Sequence, residues 1–239
     1  MNDLLALVLR AHGGVDKWQR WKTVSAHVAT GGALWPLKGQ AGILSSAQVT
    51  VDLHQQWTSH APFTAPNYRT SFTPDRVAIE TTDGVVVEEL RQPRASFLSH
   101  SAATPWTPLH VAYFAGYAMW TYLTSPFAFV QPGFAVAELP PWQEEGETFR
   151  RLQVTFPAHI ATHCPVQVFY IDERGLIRRH DYDTEVLGGA PAAHYSSGHT
   201  EVLGLLVPTK RLVYGRRPDL SPIRDTVLVS MDISDIMFH

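Results

Sequence analysis

The sequence predicts an α+β fold, a large antiparallel sheet wrapped around one central apolar helix. Three observations predict it. Residues 95–137 contain no Asp, Glu, Lys or Arg, in a chain that is 17% charged. Within that stretch, residues 109–123 are apolar on every side, so a helix there must be buried on every side. On both flanks, short runs of alternating polar and apolar residues follow one another with no helices between them, which implies antiparallel strands.

Taken in order, residues 3–12 place Leu4, Leu5, Val8 and Ala11 on one helical face, and Gly13-Gly14 ends the run. Residues 15–22 read as a second short helix with Trp18 and Trp21 inward, and Asp16 near its start suits the helix dipole. After Thr23 the period drops to two: Val24, Ala26 and Val28 alternate with Ser25, His27 and Ala29. Further strands are expected at 42–54, 56–59, 68–73, 76–82 and 85–90, with Thr82-Asp83-Gly84-Val85 as a hairpin signal. Pro126, Pro132-Gly133 and Pro140-Pro141 break the chain beyond the central helix. Glu144-Glu145-Gly146-Glu147 reads as an exposed, solvated turn. A second meander is expected at 150–156, 166–172, 176–186, 194–203, 209–214 and 226–233. With no internal repeat or linker, residues 1–239 read as one domain.

A net charge of −3 and a pI near 6.4 argue against a partner that demands a basic surface, so no nucleic acid is expected. The single cysteine, Cys164, excludes an internal disulfide and fits a reducing compartment. The short apolar run after Met-Asn-Asp lacks the basic leader and cleavage site of a secretory signal, so a cytoplasmic location is expected. Residues 109–130 are long enough to span a bilayer. They carry His110, Thr121, Thr124, Ser125 and Pro126 and lack flanking Lys or Arg, so a buried helix and no integral membrane association are expected.

Two segments carry a family resemblance. Ala11-His12-Gly13-Gly14-Val15-Asp16-Lys17-Trp18, followed by a strand at Thr23, resembles the opening of the LolA-like and LppX-like lipoprotein-carrier proteins. The late hairpin Phe169-Tyr170-Ile171-Asp172-Glu173-Arg174-Gly175-Leu176-Ile177-Arg178-Arg179 does so too. The resemblance implies an unclosed half-barrel: a curved antiparallel sheet that wraps helices and encloses a cavity for acyl chains or other hydrophobic ligands. No lipoprotein-specific residue is recognisable.

On the central helix, His110, Tyr113, Tyr117 and Trp120 share one face, while Ala112, Ala115, Gly116 and Met119 lie on another. The small residues let a sheet come close or leave space beside the helix. The aromatic stripe reads either as packed core or as the wall of an apolar pocket with a few polar handles. His110, Tyr113, Tyr117, Trp120 and Gly116 are therefore the candidate ligand-binding residues. Strand alternation turns His180 and Tyr182 toward the core and makes them the candidate acid and base; Arg179, Asp181 and Asp183 take the opposite face as surface ion pairs. His159 and His163 flank three residues as zinc ligands do on a helix. Pro157 and Pro165 disfavour a helix there, so these read as loop histidines and no metal is expected.

No Gly-x-Ser-x-Gly elbow or phosphate-cradling glycine loop is present, and no cofactor is expected. The leading expectation is a binding protein for a hydrophobic small molecule or lipid. The rival is a cofactor-independent isomerase, cyclase or hydratase acting in the same cavity. The oligomeric state is not legible in the sequence.

Overall fold

The computed structural model describes residues 2–239. Three helical segments belong to the N-terminal region: α1 (Asp3–Ala11), α2 (Val15–Trp18) and α3 (Leu34–Leu37). Asn2 caps α1 by accepting from the Leu5 amide at 3.1 Å. Gly13 follows with φ +113°, and a Cβ there would lie 2.1 Å from the Gly204 carbonyl oxygen, so only glycine fits.

The chain enters its sheet at the middle and works outward. Strands β1 (Thr23–Gly31), β2 (Ala47–Asp52), β3 (Thr58–Ala61), β4 (Tyr68–Thr73), β5 (Arg76–Thr81) and β6 (Val86–Arg91) form one antiparallel arm ending at a free edge. The charge-free stretch then crosses the inner face through α4 (Pro108–Thr124) to the far edge. From there β7 (Ala135–Glu144), β8 (Glu147–Thr155), β9 (Val166–Ile171), β10 (Ile177–Thr184), β11 (Ala190–Val202), β12 (Leu205–Arg216), the two-residue β13 (Pro222–Ile223) and β14 (Val229–Phe238) lead back to the centre. There β14 pairs with β1, in the register Val28 opposite Ile233. All 14 strands belong to one unclosed antiparallel sheet around α4, so the α+β half-barrel is the fold.

Why α4 carries no charge follows from this route. Residues 111–124 of the helix are all buried, because the sheet curls around it. Thr107 caps its start and His110 answers as the reciprocal partner, its Nδ1 accepting from the Thr107 amide at 3.1 Å. At Gly116 a Cβ would stand 2.4 Å from the Phe72 ring, so the missing side chain lets helix and β4 approach closely. No helix among the described residues is long and apolar enough to cross a membrane.

Some local expectations change, among them the helix expected at 15–22, which ends at Trp18, and Glu144 of the expected exposed turn, which is largely covered. Pro140-Pro141 do not break the chain; they lie within β7, at an edge of the sheet, where the ladder slips between Leu139 and Trp142. An edge strand with a bulge is where a sheet tolerates proline, which has no amide hydrogen to give.

The outer face of β10 is only partly the solvated surface that alternation suggested: Asp183 is exposed and pairs with Arg216 at 2.7 Å, but Arg179 and Asp181 are covered. Arg179 and Asp181 are 1% and 2% exposed. Their guanidinium and carboxylate pair in parallel at 2.7 and 2.8 Å, and Glu144 reaches Arg179 at 2.8 Å. The Arg179 guanidinium lies between the rings of Tyr170 (4.6 Å) and Tyr195 (5.4 Å). Arg151 and Arg224 continue this alternation of cation and ring outward to Trp142 and Tyr214. Glu144, next to the tip of the β7–β8 hairpin, lies over this pair and leaves Arg179 and Asp181 almost no exposed surface.

Candidate functional site

α4 packs most heavily on β3, β4 and β5. On its other side, toward β10 to β14, two things occupy the space: an apolar cavity and a cluster of buried polar side chains.

The cavity is framed by Ala115, Ala118, Met119 and Tyr122 of α4, by Val28 of β1, by Leu34 and Trp35 of α3, and by Tyr182, Val213 and Met231 of the second arm. Its volume is about 70 Å³. His60 also reaches its wall, with burial pulling its pKa down to about 4. Ala115 and Ala118 thus face open space, with Met119 and Met231 as adaptable walls, while Gly116 of the expected small-residue face turns to Phe72 instead.

The polar cluster adjoins this cavity. His163 is fully buried; its Nε2 is 2.9 Å from the Tyr122 hydroxyl and its Nδ1 3.3 Å from the Tyr117 hydroxyl. Tyr122 and Tyr182 bring their hydroxyls to 3.3 Å, and the Tyr182 ring stacks on His163 at 3.8 Å. Both tyrosines line the cavity, together with His60, Thr30 and Thr184, in an otherwise apolar wall. Burial drives the tyrosines upward, Tyr122 to about 12 and Tyr117 and Tyr182 well above their ordinary value. It holds His163 well below the imidazole range. All four groups are therefore neutral.

A hydrogen count follows from neutrality. The chain Tyr117–His163–Tyr122–Tyr182 contains three hydrogen bonds, and its four neutral groups carry one hydrogen each. One hydrogen is left over. When His163 donates from Nε2 and Tyr122 donates onward, the spare hydrogen is the Tyr182 O–H.

Beyond this chain lies a row of inward side chains from three neighbouring strands: His180, His194 and Arg211. Gln167 gives its amide hydrogens to Thr162 Oγ1 (2.6 Å) and the Cys164 carbonyl (2.8 Å), which turns its oxygen to His180 Nε2. His180 is thereby fixed as the Nε2–H tautomer. Desolvation holds both His180 and His194 well below the imidazole range. Arg211 is 6% exposed and donates to the Tyr122 carbonyl (2.9 Å) and Ser196 Oγ (3.1 Å), with its plane 4.8 Å over the Tyr122 ring. Burial pulls it down to about 10, which leaves it cationic at neutral pH. Among the described residues no carboxylate pairs with it.

Of the residues singled out from the sequence, His180, Tyr182 and Tyr117 meet in this cluster. The others serve elsewhere. His110 caps α4, its ring 4.7 Å from Phe97 and 4.9 Å from His100. Trp120 donates Nε1 to the Asp52 and Gln55 carbonyls at 3.0 and 2.9 Å, and Gly116 abuts Phe72. Tyr113 packs on Phe72 and Phe97 and borders a separate, more polar cleft of about 490 Å³ with Arg94, His159 and Glu185.

His163, His194, Gln167 and Arg211 were missed. Arg211 shares strand parity with the buried Val207 and Val213, a signal that could have turned it inward. His163 lies in a loop, where no periodicity gives a direction.

No family model and no curated protein matches this sequence. Solved structures do. A LolA superfamily protein from Nitrosomonas europaea superposes with a TM-score of 0.53 at 10% identity, covering 97% of this chain and 92% of that one. A DUF1329 family protein from Desulfovibrio piger gives 0.52 at 10% identity over 98% and 91% of the two chains. A protein from Vibrio parahaemolyticus, described as an outer membrane lipoprotein-sorting protein domain, gives 0.52 at 11% identity over 96% and 93%. The chain therefore has the LolA-like fold. The cytoplasmic expectation, drawn from the first few residues and the lone cysteine, is overturned by this likeness, since a neighbour of the same fold is described as an outer membrane lipoprotein-sorting protein domain.

Proposed function

We propose that this protein holds a hydrophobic small molecule or acyl chain between α4 and the β10–β14 arm. The apolar cavity beside Ala115, Ala118 and Met119 of α4 carries this reading, with the hydrogen-bonded Tyr122–Tyr182 pair among its lining residues. A pocket of apolar walls with few polar groups is what such a ligand requires. The likeness in fold to a protein described as sorting lipoproteins is consistent with it. In this reading Tyr122 and Tyr182 meet the ligand, while His110, Tyr113, Gly116 and Trp120 hold the helix in place. Met119 and Met231 re-pack to admit a ligand larger than the empty space.

The rival enzyme reading draws on the same hydroxyls and on His163 and His180 within one cluster. Acid–base catalysis works best with groups that titrate near the operating pH. Here burial drives the histidines down and the tyrosines up, away from neutrality on both sides. That arrangement favours a binding site over a catalytic one.

A neutral fluorescent probe, N-phenyl-1-naphthylamine, tests the proposal. Saturable fluorescence enhancement with the full chain is expected, together with its loss in Ala118→Trp, whose indole fills the cavity. Absence of saturable binding, or binding unchanged in an Ala118→Trp variant of normal circular dichroism, overturns the reading.

A further inference from the structure

We propose that the ligand is a carboxylate-headed amphiphile, a free fatty acid class of molecule, with its head group at the Tyr122–Tyr182 hydroxyl pair and in the field of Arg211. This assignment rests on the cavity reading above and goes further by naming the end of the ligand that is recognised.

Three observations converge on it. The hydrogen-bonded chain from Tyr117 to Tyr182 has one hydrogen more than it has bonds. An acceptor in the cavity draws that hydrogen onto Tyr182, whose hydroxyl has no partner other than Tyr122 and which is 4% exposed. A buried hydroxyl hydrogen facing apolar walls is costly, so the site is built to receive an acceptor.

The second observation is the charge. Arg211 is buried without a carboxylate, and its Nε hydrogen and the neighbouring His194 Nδ1 have no partner. An uncompensated buried cation is expensive to keep, and an anion nearby offsets that cost. Its plane lies against the ring of Tyr122, one of the two hydrogen-bonded tyrosines that line the cavity.

The third is the arrangement along the strands. Val213 lines the cavity, and Arg211 is the next inward residue of β12; Ala192 lines it, and His194 is the next inward residue of β11. The cavity wall thus passes from apolar to polar in one direction, as a site for a molecule with a tail and a head would. A carboxylate suits the small space and the few donors better than a phosphodiester.

Titration calorimetry at pH 8 with decanoic acid, methyl decanoate and 1-decanol tests the assignment on the full chain. Wild-type protein is expected to bind decanoate about tenfold or more tightly than the ester, the gain of one charge-assisted hydrogen bond. In Arg211→Gln the preference for acid over ester is expected to collapse with ester affinity retained. Tyr182→Phe, which keeps the ring stacked on His163, is expected to weaken decanoate about tenfold and carries the test if the Arg211 variant does not fold. Equal binding of acid and ester overturns the head-group assignment and leaves the cavity reading intact. A preference for the acid that survives Tyr182→Phe also overturns it. Failure of all three ligands and of the naphthylamine probe overturns both.

Discussion

His163 and Tyr182 stack ring on ring, 3.8 Å apart and 3° from parallel, in the middle of the protein. One comes from a loop and the other from β10, and the Tyr122 hydroxyl of α4 touches both, at 2.9 and 3.3 Å. Loop, strand and helix are thereby joined at one point, beside the cavity. What that junction contributes is open to direct measurement.

Removing His163 leaves the Tyr117 and Tyr122 hydroxyls without their shared partner. His163→Ala is expected to lower unfolding free energy by roughly 3 kcal/mol or more, from two orphaned hydroxyls and a void. Urea denaturation followed by tryptophan fluorescence measures this. A loss below about 1 kcal/mol, the worth of an ordinary hydrogen bond, refutes the role of His163 as the junction.

Acid should destabilise the fold at a pH above that where carboxylates titrate. His60 is held near pKa 4, and His163, His180 and His194 well below 6.5, all chiefly by burial. Between the folded and unfolded values the unfolded chain binds more protons, so stability is present above pH 6.5 and is lost as pH falls below it. His60 alone accounts for about 3 kcal/mol by pH 4. Melting temperatures that stay flat between pH 7 and pH 4.5 would contradict this.

On the outer face, Asp181 balances the buried Arg179. Asp181→Ala is expected to cost up to about 3–5 kcal/mol, because it strips the buried Arg179 of its two-pronged partner and leaves it Glu144 alone. Arg179→Met together with Asp181→Leu should recover much of that loss. Thermal unfolding of the single and double variants provides the comparison, and a double variant as unstable as Asp181→Ala would count against the explanation.

Gly116 is required by the approach of α4 to β4. Gly116→Ala gains helix propensity, worth about 1 kcal/mol, but drives a methyl into the Phe72 ring. A net loss of about 1–3 kcal/mol is expected. Phe72→Leu in the same chain should relieve part of it, a coupling that a double-mutant cycle reads directly. Simple additivity of the two substitutions would rule out the proposed clash.

Much of this architecture was legible because burial on all sides leaves a compositional mark. The absence of charge from residues 95–137 marked the helix that crosses the inner face, and period-2 alternation marked the two arms. Alternation also turned His180 and Tyr182 inward, since a strand sends successive side chains to opposite faces.

Only the tertiary structure decided what those side chains meet. His163 faces residues 41 and 46 positions earlier, and its direction in a loop obeys no period. Arg179 became buried because a distant hairpin brings Glu144 over it, and strand parity specifies a face without saying what covers that face. The same holds for the cavity. The sequence separated a small-residue face of α4 from an aromatic one, but the stripe that fronts open space mixes the two, with Phe114, Ala115, Ala118, Met119 and Tyr122, and Gly116 lies against Phe72. Periodicity is a local property of the chain, whereas the contents of a pocket depend on which remote segments the closed pairings bring together.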